Sequence, residues 1–102
     1  MNILAVTACP LGMASTYMAA EGLERAAREF GFDIKVETQG FMGVENEITD
    51  TDIKKGDVVI LTKDMPIKNT DRFKELPIKY VSIYDTIRKS NKIIKEIIED
   101  NA

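Results

Sequence analysis

The segment Cys9-Pro-Leu-Gly-Met-Ala-Ser-Thr16 brings a thiol, a glycine and two hydroxyls together in one short stretch. Placed between a strand and a helix, it would sit against helix amides that have no intrahelical acceptor. Those donors, with the positive end of the helix dipole, make a site for an anion. The same field suits a nucleophilic sulfur, which makes Cys9 the candidate nucleophile. Pro10, Leu11, Gly12, Met13, Ala14, Ser15 and Thr16 are then the candidate phosphate-binding loop. Gly12 lets the backbone approach a ligand, and Ser15 and Thr16 add hydroxyl donors. The plainer reading stands beside it: a small buried cysteine, with Ser15 or Thr16 as an ordinary helix cap.

Composition removes most other chemistry. The 102 residues contain no histidine and one cysteine. Ser-His-Asp hydrolysis, Cys-His proteolysis, histidine-ligated metals and phosphohistidine acceptance are therefore excluded, as are a Cys-x-x-Cys redox pair and a zinc cluster. No metal or cofactor is expected. Fourteen Lys and Arg against seventeen Asp and Glu leave a net charge of −3, which disfavours nucleic acid and anionic membranes as partners. A lone cysteine fits a reducing, cytoplasmic address. The apolar runs are far shorter than the ~20 residues of a spanning helix, and no signal-peptide pattern is seen, so no membrane insertion is expected.

The elements around the loop follow from periodicity. Asn2–Thr7 is an apolar run without helical spacing and reads as a buried parallel strand. From Ser15 or Thr16 to Phe30 the spacing is helical, with Ala19, Leu23, Ala27 and Phe30 on the apolar face. Glu21–Arg25 and Glu24–Arg28 are i,i+4 pairs, and Gly31 is the stop. A second strand is expected over 34–38, then a loop at 39–43, and a short helix capped by Thr49 or Asp50. Further strands are expected at 58–61 and 78–83, with 63–75 mostly loop. Ile83, Ile87, Ile94, Ile97 and Ile98 stripe a C-terminal helical region broken near Ser90-Asn91. Alternating strands and helices predict an α/β fold: a four-stranded parallel sheet of order 2-1-3-4, helices on both faces, a Rossmann-like or flavodoxin-like three-layer sandwich. Ligands of such sheets bind beyond the carboxyl ends of the strands, where Ala8–Thr16 falls.

Spacing also tests neighbouring chemistries. Low-molecular-weight tyrosine phosphatases carry an arginine in an equivalent loop at the position that is Ser15 here. Without that guanidinium on the phosphoryl oxygens, hydrolysis is disfavoured. The nucleotide loops G-x-x-x-x-G-K-[ST] and G-x-G-x-x-G are absent. Gly40-Phe-Met-Gly43 matches the G-x-x-G of KH loops, a match that the acidic chain makes an accident.

Ala5-Val-Thr-Ala-Cys-Pro10 with Gly12, Ala14 and Thr16 resembles the phosphorylation loop of the fructose-type IIB components of the bacterial phosphoenolpyruvate-dependent sugar phosphotransferase system. Met18-Ala-Ala-Glu21, Val36-Glu-Thr-Gln-Gly40, the positions Gly43, Glu45 and Asn46, and Asp57-Val-Val-Ile-Leu61 extend the resemblance over nearly the whole chain. It implies one IIB domain over residues 1–102, with Cys9 as phosphocysteine. The donor would be a phosphohistidine on a IIA protein or domain, and the acceptor a fructose or fructose-like sugar held by the membrane component IIC. The implied location is the cytoplasm, at the inner face of the membrane through IIC. The family loop commonly reads C-P-T-G-x-A-H-T; here Leu11 replaces the threonine and Ser15 the histidine. The alternative is a non-catalytic regulatory or binding module that retains the anion loop. Thr38, Gln39 and Gly40 are expected as secondary contacts, and Met13, Tyr17 and Phe41 as an apolar rim. Thr62 and Asp64 end the third strand on the same edge, and the acidic run Glu45–Asp52 reads as a solvated face.

Overall fold

The apolar run Asn2–Thr7 becomes strand β1 at the centre of the sheet. The computed structural model describes residues 1–41 and 43–100; Met42, within the stretch expected as loop, lies outside them, as do the last two residues. β1 pairs in parallel with β2 (Asp33–Gly40) on one side and β4 (Val58–Thr62) on the other. β5 (Ile78–Val81) adds in parallel to β4, and β3 (Gly43–Glu45) pairs antiparallel with β2. The sheet is therefore five-stranded and mixed, in the order β3-β2-β1-β4-β5, which corrects the expected four parallel strands in the order 2-1-3-4. The difference is β3. Its three residues are all exposed, so no buried face marks them in the sequence. They form a strand because Gly40 pairs with Gly43 and turns the chain back along β2.

Each face of the sheet has its own core. Ile3, Ala5, Val36, Val58, Ile60 and Val81 pack beneath α1 (Met13–Glu29) and α4 (Ser90–Asp100). Leu4, Val6, Val59 and Leu61 pack with Ile48, Phe73 and Ile53, where α2 (Asp50–Lys55) and a 3-10 turn (Thr70–Phe73) lie. This strict alternation, with helical elements on both faces, gives three layers. α3 (Ile83–Arg88) rests on α1, and Lys89 breaks the C-terminal stripe one residue before the expected Ser90-Asn91.

The ends of the helices differ from expectation in one informative place. α1 begins at Met13, not at Ser15 or Thr16, and no side chain caps it. It ends as expected at Gly31, where Gly31 N–H reaches the Arg28 carbonyl and Phe32 N–H the Ala27 carbonyl, a Schellman turn. Glu24–Arg28 forms at 3.4 Å, whereas Glu21–Arg25 is not among the ion pairs of the described residues. Phe30 is exposed rather than buried, stacked on Phe32 at 6.5 Å. Thr49 caps α2 with a reciprocal capping box to Asp52. The strand expected over 78–83 stops at Val81, because Ser82 accepts the Asp85 N–H and opens α3.

Candidate functional site

β1 ends at Thr7, and Ala8 is locked to the neighbouring strand. Its N–H donates to Thr62 Oγ1 at 3.0 Å, and its carbonyl accepts that hydroxyl at 3.3 Å. Cys9 follows directly, half-buried and free. The chain then turns sharply: Gly12 N–H meets the Cys9 carbonyl at 3.4 Å, and Leu11 N–H points at Cys9 Sγ, also at 3.4 Å. Gly12 itself has φ 127 and ψ 179, a region open essentially to glycine alone. That conformation starts α1 without a capping side chain. The N–H groups of Met13, Ala14 and Ser15 therefore stand in a first turn that offers them no intrahelical acceptor.

Thr16 explains why the helix starts early. Its hydroxyl donates to the Gly12 carbonyl at 3.2 Å, inside the helix, and its own carbonyl accepts Thr7 Oγ1 at 3.1 Å. Thr16 is thus buried and ties α1 to β1, and its hydroxyl is engaged within the loop. Of the loop residues, Cys9, Pro10, Gly12 and Met13 line a cleft of about 380 Å³ at the carboxyl ends of the strands. Leu11 and Ala14 are exposed outside its lining, and Ser15 is half-buried outside it.

The secondary contacts divide. Gln39 and Gly40 line the cleft; Thr38 does not, and its buried hydroxyl has no hydrogen-bond partner among the described residues. Gly40 allows the Met13 thioether to lie against the strand, where any Cβ would collide with it. Phe41 lines the cleft and is 85% exposed, while Tyr17 turns away and donates its hydroxyl to Glu45, fastening β3 to α1. Acceptance of that hydrogen bond by the carboxylate raises the Tyr17 pKa above its ordinary value. Thr62 serves the Ala8 lock, and Asp64 accepts the Ile83 N–H at 2.8 Å. In the run Glu45–Asp52 all but Ile48 and the half-buried Asp52 are exposed.

Sequence reasoning missed the far wall of the cleft, made by Met65, Pro66 and Lys68 from the segment read as loop. It also missed what holds that wall. Glu37, 1% exposed, receives Arg72 through two hydrogen bonds of 2.8 and 2.7 Å. The Ile48 N–H at 2.9 Å and the Gln39 amide at 2.8 Å complete its shell. Burial works against the charge of Glu37, but the bonds from Arg72, Gln39 and Ile48 outweigh it and hold the pKa below the ordinary value. Arg72 also lies over the Phe73 ring at 4.5 Å. Lys35 and Glu37 alternate along β2 as a solvated strand face would, so no local signal in the sequence singled out Glu37.

Comparison with known proteins agrees over nearly the full length. The sequence profile of the family described as "PTS system, Lactose/Cellobiose specific IIB subunit" matches residues 4–96. The "PTS system fructose-like EIIB component 2" of Escherichia coli K12 is 52% identical over 96 residues, covering 94% of this chain and 91% of that protein. Fructose-like EIIB component 1 of the same organism is 38% identical over 98 residues, covering 96% and 91%. Among solved structures, a domain of a fructose-specific IIABC component from Borrelia burgdorferi superimposes with a TM-score of 0.89 at 44% identity, covering 96% of this chain and 93% of that one. The Enzyme IIB subunit from Escherichia coli K12 superimposes equally well, TM-score 0.89 at 38% identity, covering 96% and 91%.

Proposed function

Because the chain belongs to the fructose-type IIB components of the sugar phosphotransferase system, a family of phosphotransferases, we propose that Cys9 is its phosphoryl carrier. The Cys9 sulfur attacks the phosphorus of a phosphohistidine on a IIA protein or domain. The P–N bond breaks as the S–P bond forms, and the imidazole leaves. A hydroxyl of a fructose or fructose-like sugar, held by the membrane component IIC, then attacks the same phosphorus. The S–P bond breaks, the thiolate is regenerated, and the hydroxyl proton goes to the acceptor's side. The protein works at the cytoplasmic face, and among the described residues no helix is long and apolar enough to cross a membrane itself.

The observation that carries this reading is the uncapped start of α1 beside a half-exposed cysteine. Free first-turn amides and the helix dipole favour the added negative charge of a phosphoryl group. Stabilising that ground state does little for hydrolysis, which also needs an activated water and a clamp on the equatorial oxygens. The loop holds no arginine and the chain no histidine. Incubation with a phosphoenolpyruvate-driven relay should add one phosphate by intact mass, lost in Cys9→Ser. The phosphorylated chain should persist until IIC-bearing membranes and sugar are supplied, with no turnover of p-nitrophenyl phosphate. A chain that gains no phosphate is a binding module; one that hydrolyses the aryl phosphate is a phosphatase.

A further inference from the structure

We propose that Lys68 is the cation that meets the phosphoryl group on Cys9, set in place by Gln39 and, through it, by the buried Glu37–Arg72 pair. This rests on the carrier reading of the same cleft. A phosphate monoester carries up to about two negative charges at neutral pH, while a helix N-terminus offers the equivalent of only about half a positive charge. A full cation is wanted, and the loop has neither the arginine of phosphatases nor any histidine. Among the described residues that line the cleft, Lys68 is the one charged residue. Its ammonium has no hydrogen-bond or ion-pair partner among the described residues, so its charge is not already matched.

Exposed lysines are common, and what distinguishes this one is its backbone. Lys68 N–H donates to Gln39 Oε1 at 2.9 Å, and the Lys68 carbonyl accepts from Gln39 Nε2 at 3.1 Å. One side-chain amide thus grips both main-chain groups of a single residue and fixes where its stem begins. The same Gln39 Nε2 donates to Glu37 Oε2 at 2.8 Å, and Glu37 is gripped by Arg72. A buried, fully bonded network is stiff. It connects the strand next to Cys9 with the segment that carries the ammonium. The flexible four-carbon stem then lets the charge follow a phosphoryl group as it arrives and leaves.

The test compares alkylation of Cys9 in the full chain by iodoacetate, an anion, and iodoacetamide, which is neutral. Lys68→Met should lower the iodoacetate-to-iodoacetamide rate ratio about threefold, the effect of one charge a few ångströms away in water-like surroundings. Lys68→Arg should keep the ratio, as should Lys63→Met on the same segment. Inorganic phosphate should protect Cys9 from iodoacetamide, and Lys68→Met should need roughly tenfold more of it, two charges now being involved. A variant that slows both reagents alike, or leaves ratio and protection unchanged, overturns the assignment and makes Lys68 a solvated surface lysine. Neither readout uses phosphotransfer. Failure of the carrier reading would appear separately, as a wild-type chain that takes no phosphate from the relay.

Discussion

Two clefts of the same volume, about 380 Å³ each, lie at opposite ends of the sheet. The one at the carboxyl ends holds Cys9, the start of α1 and Lys68. The one at the amino ends is lined by Asn2, Asp33, Lys35, Asp52 and Lys55 among others. Volume does not separate them; the state of their polar groups does. In the amino-end cleft Lys35 meets Asp52 at 2.7 Å, Asn2 N–H donates to Asp57 Oδ2 at 2.7 Å, and Asn2 Nδ2 reaches the Lys55 carbonyl at 3.0 Å. Asn2, Lys35 and Asp52 are matched there, while the Asp33 and Lys55 side chains, at the rim, have no hydrogen-bond or ion-pair partner among the described residues. In the carboxyl-end cleft Met13, the first residue of the uncapped α1, and the Lys68 ammonium remain open to a ligand, because the structural bonding is done by buried residues behind the wall. β2 supplies both arrangements from one face: Lys35 in a half-exposed pair, and two residues on, Glu37 in a buried one.

The largest effect should come from breaking the buried pair. Arg72→Met leaves the Glu37 carboxylate without its main partner and should cost about 3–5 kcal/mol at neutral pH. In the wild type the lowered Glu37 pKa gives stability that is present above about pH 4.5 and lost as pH falls through the folded value. In Arg72→Met burial is less opposed and the folded pKa moves up, so the sign reverses. The variant should gain on the wild type as pH falls and the buried carboxyl takes a proton. The double variant Glu37→Gln/Arg72→Met should be more stable than Arg72→Met at pH 7, since no charge is left buried. Urea unfolding from pH 7 to 4 reads all three chains. A gap between Arg72→Met and wild type that is independent of pH would mean the arginine acts through packing on Phe73.

A middle-sized effect belongs to the loop. An alanine Cβ at Gly12 would meet no atom within 4 Å, so crowding is not the issue. The backbone at φ 127 and ψ 179 is, and Gly12→Ala should cost roughly 1–3 kcal/mol in urea unfolding. Relief of that strain would re-aim the first-turn amides, so alkylation of Cys9 should also lose its sensitivity to inorganic phosphate. Full stability with unchanged phosphate protection would show that the amides do not set the site.

The same contrast explains what was legible in the sequence. β1 is a continuous apolar run, and the body of α1 and the C-terminal isoleucine stripe have helical spacing. β1 is buried in the sheet, Ala19, Leu23 and Ala27 of α1 are buried, and Ile94 and Ile97 of the stripe pack in the core under the sheet. Cys9 and Gly12 were legible because residue type and place in a strand-to-helix turn limit what they do. The start of α1 was misjudged because Ser15 and Thr16 are good caps by type, whereas the turn is made by a glycine backbone and Thr16 bonds inside the helix. β3 escaped because pairing alone makes it a strand. The Glu37–Arg72 pair spans 35 residues, and no local pattern reports a contact of that range. Lys68 resembled any loop lysine until Gln39 was seen to hold its backbone.

The smallest effect should come from the amino-end cleft, and it tests whether that region is only structural. The hydrogen bond from Lys35, helped by the Thr49 amide at the start of α2, lowers the Asp52 pKa from 3.8 to about 2. Taken whole, that shift would correspond to roughly 2 kcal/mol. The pair is open to solvent, however, with side chains 30% and 28% exposed, so screening reduces its worth to about 0.2–1 kcal/mol. The pKa is lowered, so the contribution is present above about pH 4 and is lost as pH falls toward 2. Lys35→Met should therefore cost less than about 1 kcal/mol at pH 7 in urea unfolding, and the difference should shrink at pH 2 and in high salt. Asp52 keeps its Thr49 bonds, so α2 should stay capped in the variant. Phosphoryl acceptance should be unchanged, because Lys35 lines the other cleft. A several-fold loss of acceptance in Lys35→Met, at unchanged stability, would mean that the two ends of β2 are coupled and that the amino-end cleft takes part in function.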